Sequence, residues 1–483
     1  MASVNKASLR EEFAILKGQF ERLCAEGKVS EELRVLVQAL LMLFALLMAV
    51  FMEKHTPKRS HNSGLPPSQT GKQEETTSQP GSRAKGAGQQ HTRAGNTRTV
   101  ETVTTVPVDR CAHCGTDLGD TPCQGHERRT LIDIVFETVR SHVDAEIKNC
   151  PHCQGQTKGM FPSPFAGPLQ YGPGIRAYVL NLLLAQMLSL KRVQQSINTL
   201  IDRLLSEATL LGWVMQLHQA LDAWEQASIA QLLAQPALHV DETSLRVDRK
   251  HHWIHVYSSG DITLKFLHPK RGRAAIEAIN IIPRYGGTAV HDCWASYLSY
   301  DHCGHALCGA HLLRELTFVV EANGYRWAAN MKRLLTQTCA RVAEHPNKSL
   351  SASEYKHLRK RYRNILTRAE KELPPIPPRQ NGKRGRVAKS DAHNLWERFK
   401  RYERAVLLFA ELPHVPFTNN RAERDLRMSK VKQKVSGCFR TRHYAEAYCR
   451  ISSYLQTMTY RGYNPLLAIQ MALSGELYTL GGE

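Results

Sequence analysis

Cysteine and acidic residues are both scarce in this sequence. Twelve cysteines in 483 residues are too few for a disulfide scaffold of this size, which excludes the class of cysteine-rich secreted domains. Asp and Glu number 44 against 64 Lys and Arg, leaving a formal charge of +20. An excess of that size predicts a polyanionic partner, with nucleic acid favoured over an anionic membrane. The hydrophobic content of 42% is enough for packed cores, and the length predicts about three domains.

Two signals of common protein classes are also missing. No Gly-rich loop followed by Lys and Ser or Thr occurs, so nothing indicates a P-loop ATP site. The first 30 residues carry Glu11, Glu12, Glu21 and Glu26, which is unlike a secretory leader or a transit peptide. We therefore expect a cytoplasmic protein without an ATP site.

The N-terminal region is predicted to be helical and to self-associate. Between residues 8 and 26, apolar side chains recur at alternating intervals of four and three, which is a coiled-coil seam of two heptads. Val35–Met52 is apolar except for Gln38, and it reaches the lower length limit of a transmembrane helix. The alternative is a helix that is apolar all round because copies of it pack together. We favour that alternative because the downstream sequence resembles cytosolic nucleic-acid machinery.

Four of the cysteines form two matching Cys-x-x-Cys pairs, Cys111 with Cys114 and Cys150 with Cys153. Each pair closes a tight turn that directs two thiolates to one point, and four thiolates make a tetrahedral zinc site. Redox-active thiols are the alternative, although they need only one pair. A site of four thiolates has no open position, so Zn²⁺ is predicted to be structural there.

Strand signals begin near residue 237 and place two aspartates at strand ends. The predicted elements are strands at 238–241, 253–257, 262–267 and 288–292, a turn at 258–261 and a helix at 273–279. Three antiparallel strands, a helix and a fourth strand is the order of an RNase H-like core. Asp241 ends the first strand, Asp292 ends the fourth, and Glu423 follows an Asn N-cap at the start of a helix.

These three carboxylates are candidate metal ligands. Carboxylates at adjacent strand ends and on an apposed helix can converge on two divalent cations, and oxygen ligands suit Mg²⁺ or Mn²⁺. The chemistry served is in-line attack on a phosphodiester. Taken singly, an Asp in a strand is more often a turn or surface residue. Glu242 and Asp425 are poorer candidates for metal ligands. On a strand Glu242 points to the opposite face from Asp241, and on a helix Asp425 lies on a different side from Glu423.

At these residues the sequence resembles the DDE transposases of bacterial insertion sequences, specifically the IS66 group (the TnpC type). The resemblance covers almost the whole chain. The segments that carry it are the Pro-rich element at 58–68, the double cysteine knuckle, His239–Thr243, Val290–Tyr297, Thr418–Arg427 and Gly462–Leu466. The segment with Glu423 is the most specific. Gly64 and Gln154 depart from the family pattern, away from the three carboxylates.

The resemblance implies catalysis by Asp241, Asp292 and Glu423, holding Mg²⁺, in a bacterial, nucleoid-associated DNA transposase. It implies double-stranded DNA partners (terminal inverted repeats and target), strand cleavage and strand transfer, and dependence on small accessory proteins; a membrane partner is not expected. The predicted fold class is α+β and multidomain. The predicted layout is a helical oligomerisation region (1–53), a basic disordered linker (54–104), a zinc-binding domain (105–160), a helical, helix-turn-helix-like region (161–235), an RNase H-like DDE catalytic core (236–305 and 412–450), a helical insertion domain (306–411) and a C-terminal element (451–483).

Two further groups of residues are predicted to support the site. Basic side chains after Glu423 are expected to contact the scissile-strand phosphates: Arg424, Arg427, Lys430, Lys432 and Lys434. Cys308 and His311 form a Cys-x-x-His pair that could bind a second metal. We favour a structural pair at a packed helix start, because zinc usually draws ligands from two turns.

Three other functions remain open at this level. A decayed or repurposed copy could be a non-catalytic zinc-containing DNA-binding protein, although all three carboxylates are present. A membrane-anchored protein could be built on residues 35–52. An RNase H-like nuclease could cut without joining, and only detection of joined product separates it from a transposase.

Overall fold

The structure, a computed structural model, describes residues 6–54, 103–132, 137–376 and 389–476. The predicted linker and the Pro-rich element lie almost entirely outside the described residues. The helices are α1 (Lys6–Ala25), α2 (Glu31–Lys54), α3 (Pro173–Leu180), α4 (Leu190–Ile201), α5 (Glu207–Ala220), α6 (Asp222–Leu233), α7 (Arg273–Ile279), α8 (Gly309–Asn323), α9 (Arg326–Glu344), α10 (Ala352–Glu372), α11 (Asp391–Arg401), α12 (Glu403–Glu411), α13 (Asn420–Ser436), α14 (Arg442–Tyr460) and α15 (Pro465–Ser474). The strands are β1 (Ile147–Asn149), β2 (Gln156–Lys158), β3 (Ala237–Val247), β4 (Lys250–Ser259), β5 (Ile262–His268), β6 (Thr288–His291) and β7 (Gly304–Leu307). Helices together with a mixed sheet confirm the predicted α+β class.

The chain divides into two compact units. The first contains 1–89 and 226–430, and the second contains 90–225 and 431–483. The first unit is built on a five-stranded sheet of order β5-β4-β3-β6-β7. Strands β3, β4 and β5 pair antiparallel, whereas β6 and β7 run parallel to β3. The four strands predicted from sequence are therefore all present in one sheet.

Turn residues explain the antiparallel half of this sheet. Asp248 and Arg249 both have positive φ, 48° and 60°, as a two-residue type I′ hairpin between β3 and β4 requires. Gly260 has φ +53° at the turn into β5, which is the turn predicted at 258–261. Strand β7 was not predicted, because its four residues are too short to show a period.

Helices α8 to α12 form a helical core that continues from the sheet. Their large buried side chains include Trp327, Tyr362 and Phe399, and the same core includes Val290 and Ala306 of the sheet. Burying such a side chain contributes about 1.5–3 kcal/mol. The sheet and helices α8 to α12 therefore share one apolar core.

The C-terminal end of α2 is anchored in the first unit. Ala49 and Met52 are buried. The side-chain amide of Asn323 in α8 donates to the Ala49 carbonyl oxygen at 3.4 Å, and Glu53 Oε1 accepts from the backbone N–H of Ala392 at 3.3 Å. The end of this helix therefore packs on α8 and the start of α11.

The rest of α2 is the segment whose sequence fits either a membrane span or self-association. By length and composition, residues 31–50 could cross a membrane. The rings of Phe13 in α1 and Phe44 in α2 lie 5.3 Å apart, so the two helices touch through part of the predicted seam. Large apolar side chains remain exposed on the pair: Ile15, Leu16, Leu23, Leu33, Val35, Leu36, Leu40, Leu43, Phe44 and Leu47.

The second unit contains a small helical core and the hairpin β1–β2. The rings of Trp224 and Tyr454 pack edge to face at 5.1 Å, and Arg450 pairs with Glu225 at 2.8 Å. Helices α4 and α5 are separated at the predicted break, where the Ser206 side chain accepts from the backbone N–H of Thr209 at 3.0 Å. This is an ordinary serine N-cap.

Candidate active site

Asp241 lies within β3, which continues to Val247 and does not end at Asp241 as predicted, and Asp292 directly follows β6. Strands β3 and β6 are parallel, and His239 pairs with Val290. Asp241 and Asp292 are each two residues further along, so the register places them level with one another. Neighbouring parallel strands are about 5 Å apart, which brings the two residues close together at the C-terminal end of β6.

Asn419 fixes the start of α13 against β3 and so positions Glu423. Its side-chain Nδ2 donates to the Val240 carbonyl oxygen at 2.8 Å, and its Oδ1 lies 2.9 Å from His239 Nδ1. Its backbone N–H donates to Cys308 Sγ at 3.2 Å. The asparagine that the sequence identifies as an N-cap thus also clamps the helix onto the residues flanking Asp241.

Asp425 is a second attachment point of α13. It is fully buried, and its Oδ2 accepts from the hydroxyls of Ser258 and Thr263, each at 2.7 Å, and from Arg421 Nε at 3.0 Å. Glu423 and Asp425 are roughly 200° apart around the helix. One carboxylate therefore binds the sheet while the other is presented to the two aspartates.

Asp241, Asp292 and Glu423 are partly buried, and the charges of Asp292 and Glu423 both act on Asp241. Burial, and then the charges of Glu242 and Asp292, raise the pKa of Asp241 to about 8. Burial also raises the pKa of Glu242, but this side chain is satisfied by Arg271 Nε at 2.7 Å and the Tyr297 hydroxyl at 2.8 Å. Glu423 Oε1 is buried without a hydrogen-bond partner.

This donor set fits a divalent cation. A group of buried carboxylates is electrostatically unfavourable unless positive charge compensates it. Glu242 has its compensating charge in Arg271, whereas Asp241, Asp292 and Glu423 offer oxygen ligands of the type that Mg²⁺ or Mn²⁺ prefers. These three residues could hold such an ion.

Cys308 and His311 also approach Glu423. Ligand atoms of the three residues lie within 4.8 Å of one another, and in the described parts of the chain this is the one cluster of three or more His, Cys, Asp or Glu residues with metal-ligand spacing. His311 Nδ1 is 3.5 Å from Glu423 Oε1. Burial works against a charged imidazole, but Cys308 and Glu423 outweigh it and raise the pKa of His311 to about 9. Cys308 is buried at the start of α8, and the pair lies against Glu423, a predicted catalytic residue, so both the structural and the metal-binding interpretations stay predictions.

The two cysteine knuckles have matching local geometry. The backbone N–H groups of Gly115 and Gln154 donate to the carbonyls of Cys111 and Cys150, each at 2.9 Å. Both donors have positive φ, 76° and 57°. For glutamine this left-handed conformation costs about 1–2 kcal/mol, which explains why glycine is the more usual residue there.

The four sulfurs are not gathered at one point in the part of the chain that the structure describes. Cys111, Cys114, Cys150 and Cys153 are all free, and they do not form a cluster with metal-ligand spacing. The zinc site therefore stays a prediction.

The predicted DNA-binding residues differ in exposure along α13. Arg424, Arg427, Lys430 and Lys434 are exposed. Lys432 is half-buried, and its Nζ donates to the Ser436 hydroxyl at 3.2 Å. Arg427 and Lys430 lie about one and two turns beyond Glu423, which places them on its face of the helix.

Comparison with known proteins identifies the family of the chain. The model of the transposase IS66 family matches residues 168–447, which is more than half of the chain. The match includes the whole five-stranded sheet, Asp241, Asp292 and Glu423, and it leaves out the cysteine knuckles and helices α1 and α2. None of the curated proteins compared with the chain matches it. Because this match covers more than half of the chain, the chain belongs to the transposase IS66 family.

Proposed function

We propose that this protein is the catalytic transposase of an insertion sequence, and that it binds the element's ends, cleaves them and joins them to target DNA. The observation that carries the proposal is the level register of Asp241 and Asp292 on neighbouring parallel strands, with Glu423 on the helix that Asn419 attaches to β3, all inside the family match. The strand order, with three antiparallel strands followed by two parallel ones, supports an RNase H-like catalytic core.

In this proposal the elements around each carboxylate hold it in place. Asp241 is held by the pairing of β3 with β4, Asp292 directly follows β6, and Glu423 is held by the attachments of Asn419 and Asp425 to the sheet. Bound divalent cations would supply activation of the attacking oxygen and stabilisation of the leaving oxygen. The protein's part is to orient the scissile phosphodiester, first for attack by water and then for attack of the freed 3′-hydroxyl on target DNA.

A plasmid mobilisation assay tests the proposal. A marked copy of the element with its own ends is supplied with this protein, and with the neighbouring reading frames, in cells that carry a recipient plasmid. We expect insertions with the intact protein and none with Glu423→Gln. Cleaved ends without joined product would identify a nuclease instead, and end binding without cleavage would identify a DNA-binding protein.

We propose that the exposed basic face of α13 follows the DNA backbone. Each lysine that neutralises a phosphate adds about one unit to the slope of log K against log salt. We expect Lys430→Ala to reduce that slope by about one in a binding assay with an element-end duplex. Lys432→Ala is the matched control and should change it little, because Lys432 is half-buried and bound to Ser436. Equal effects of the two variants would contradict this assignment.

We propose that the cysteine knuckles hold structural Zn²⁺ through Cys111, Cys114, Cys150 and Cys153. Purified full-length protein should then contain about one zinc per chain, and Cys150→Ser should lose it. The exposed Cys438, outside the knuckles, supplies the control variant Cys438→Ser. Zinc retained in Cys150→Ser but lost in Cys308→Ser would assign the metal to the Cys308, His311 and Glu423 cluster instead.

We propose that a second copy of the chain covers the apolar surface of α1 and α2. Support comes from the exposed leucines along α2 and from the burial of its end against α8, which ties the helix to the first unit rather than leaving it independent. An apolar surface of this extent on a DNA-binding protein is typical of an association site. Pairing of two chains would bring two element ends together.

A further inference from the structure

Cys308, His311 and Glu423 meet where helices α8 and α13 begin. Cys308 directly precedes α8 and His311 lies in its first turn, while Glu423 lies in the first turn of α13. One possible ligand atom of each residue lies within 4.8 Å of those of the other two. The sequence alone favours a structural pair, because zinc usually draws its ligands from two turns. The structure supplies the second turn, since α13 brings Glu423 to the pair.

Two atoms that face one another in this cluster have no other polar partner. His311 Nδ1 and Glu423 Oε1 are both buried, and neither makes a hydrogen bond with another group in the described parts of the chain. They lie 3.5 Å apart, which is longer than the usual N–H···O hydrogen bond of about 2.7–3.2 Å. Buried polar atoms without a partner are destabilising, so a group bound between these two atoms would satisfy both.

The separation of the two atoms suits a zinc ion. In a tetrahedral zinc site the bonds to nitrogen and oxygen are about 2.0–2.2 Å long, which places a nitrogen and an oxygen ligand about 3.4 Å apart. The 3.5 Å between His311 Nδ1 and Glu423 Oε1 agrees with that geometry. Zinc accepts thiolate, imidazole and carboxylate ligands, whereas Mg²⁺ takes oxygen ligands. The set of Cys308, His311 and Glu423 therefore matches zinc.

The surroundings hold the ligands in place and leave a path for the ion. Cys308 is buried, and its Sγ accepts from the backbone N–H of Asn419 at 3.2 Å. Contacts of this kind from a neighbouring group orient metal ligands. The side chains of His311 and Glu423 are 24% and 29% exposed, so an ion can enter from solvent and a water molecule can fill the fourth position.

We propose that Cys308, His311 and Glu423 bind one Zn²⁺, in addition to any ion that the cysteine knuckles hold. Because one position stays open, this zinc should exchange with the solution more readily than zinc in a site of four thiolates. Bound zinc would hold Glu423 through Oε1 and leave its other oxygen for a cation shared with Asp241 and Asp292. Cys308 and His311 are then positioning residues for Glu423. The zinc site needs no transposase activity, so it goes beyond the proposed function.

Equilibrium dialysis of full-length protein against rising concentrations of Zn²⁺ tests the site. We expect the wild-type protein to hold about one zinc per chain more than Cys308→Ser, whatever the knuckles hold. His311→Ala and Glu423→Gln should each raise the Kd of this additional ion at least about ten-fold, because changing a group that only orients a ligand already costs about 10–100-fold. His311→Cys supplies another zinc ligand at the same position and should bind more tightly than His311→Ala. That comparison leaves the buried Cys308 unchanged.

Co²⁺ in place of Zn²⁺ gives a spectroscopic readout of the same site. The sulfur-to-cobalt absorption of the additional ion should be missing in Cys308→Ser but present in Glu423→Gln at saturating Co²⁺. Cys339→Ser is the matched control, because it removes a half-buried thiol of α9 in the same unit but outside the cluster. It should keep the additional ion.

Two results would overturn the proposal. Equal zinc contents of the wild-type protein and Cys308→Ser at every concentration would remove the site and leave His311 and Glu423 as an ion pair. An additional ion that is lost in Cys308→Ser but bound with unchanged Kd by Glu423→Gln would remove Glu423 from the ligand set. In both cases insertion in the mobilisation assay would be unaffected as evidence, so the proposed function would stand or fall separately.

Discussion

Replacing Asp241 by asparagine is expected to abolish insertion and at the same time to make the protein more stable. Loss of one carboxylate ligand removes several kcal/mol of transition-state stabilisation, which corresponds to a rate at least about a thousand-fold lower. The same change also removes a carboxyl group that must take up a proton on folding at neutral pH, because burial and then the charges of Glu242 and Asp292 raise its pKa to about 8. The gain in the free energy of unfolding should be about 1–3 kcal/mol without added divalent cation.

Two measurements on one protein check this result. Insertions in the mobilisation assay should disappear, and the Tm in magnesium-free buffer should rise by a few degrees. Added Mg²⁺ should stabilise the wild-type protein more than Asp241→Asn, because only the wild-type site holds the full set of ligands. Asp248→Asn, in the exposed β3–β4 turn, is the control and should alter neither quantity. A variant that loses both insertion and stability would show that Asp241 is a structural residue.

Replacing Asp425 by alanine is expected to be among the most destabilising single changes in the first unit. The substitution leaves the hydroxyls of Ser258 and Thr263 and the guanidinium of Arg421 without their shared acceptor. Breaking a buried ion pair from one side costs about 3–5 kcal/mol. Because the same carboxylate attaches α13 to the sheet, Glu423 should also lose its fixed position, and insertion should fall even at temperatures where the protein remains folded.

Hydrogen exchange separates these two effects. Amides of α13 should exchange faster in Asp425→Ala than in the wild-type protein, whereas amides of the α8–α12 core should be little changed well below Tm. Asp425→Asn keeps an acceptor for the two hydroxyls. Its α13 amides should therefore exchange at a rate between those of Asp425→Ala and the wild-type protein. Met428→Ala, at an exposed position of the same helix, should change the free energy of unfolding by about 0.5 kcal/mol or less. Unchanged exchange and Tm in Asp425→Ala would contradict the role assigned to this residue.

The contacts that position Glu423 could be predicted only in part from the local sequence. The Asn that precedes α13 carries a recognisable N-cap signal, but its contacts to His239 and Val240 join residues about 180 positions apart. Nothing in the helix sequence distinguishes Asp425, which binds the sheet, from a solvent-exposed aspartate. The partner hydroxyls, Ser258 and Thr263, lie in strands more than 160 positions earlier in the chain.

The stack of Trp253, Arg271 and Trp294 lies on the face of β3 opposite Asp241, and local sequence could not predict it either. The strand period indicates that Glu242 points away from Asp241, and the structure places it against Arg271 and Tyr297. The alternation of side chains along the strand does not identify the residues that pack against that face. Two tryptophans and an arginine from three separate segments meet there only because β3, β4 and β6 are neighbours in one sheet.

The sequence by itself determined the α+β class, four of the five sheet strands and the elements on which Asp241, Asp292 and Glu423 lie. Each depends on interactions over a few residues, namely strand alternation, turn residues and a helix cap, so a single chain segment encodes them. The tertiary structure alone decided the fifth strand, the attachment of α13 through Asp425, the approach of Cys308 and His311 to Glu423, and the tryptophan–arginine stack. These depend on buried contacts between distant segments, whose partners are chosen by packing and by the need to satisfy buried polar groups.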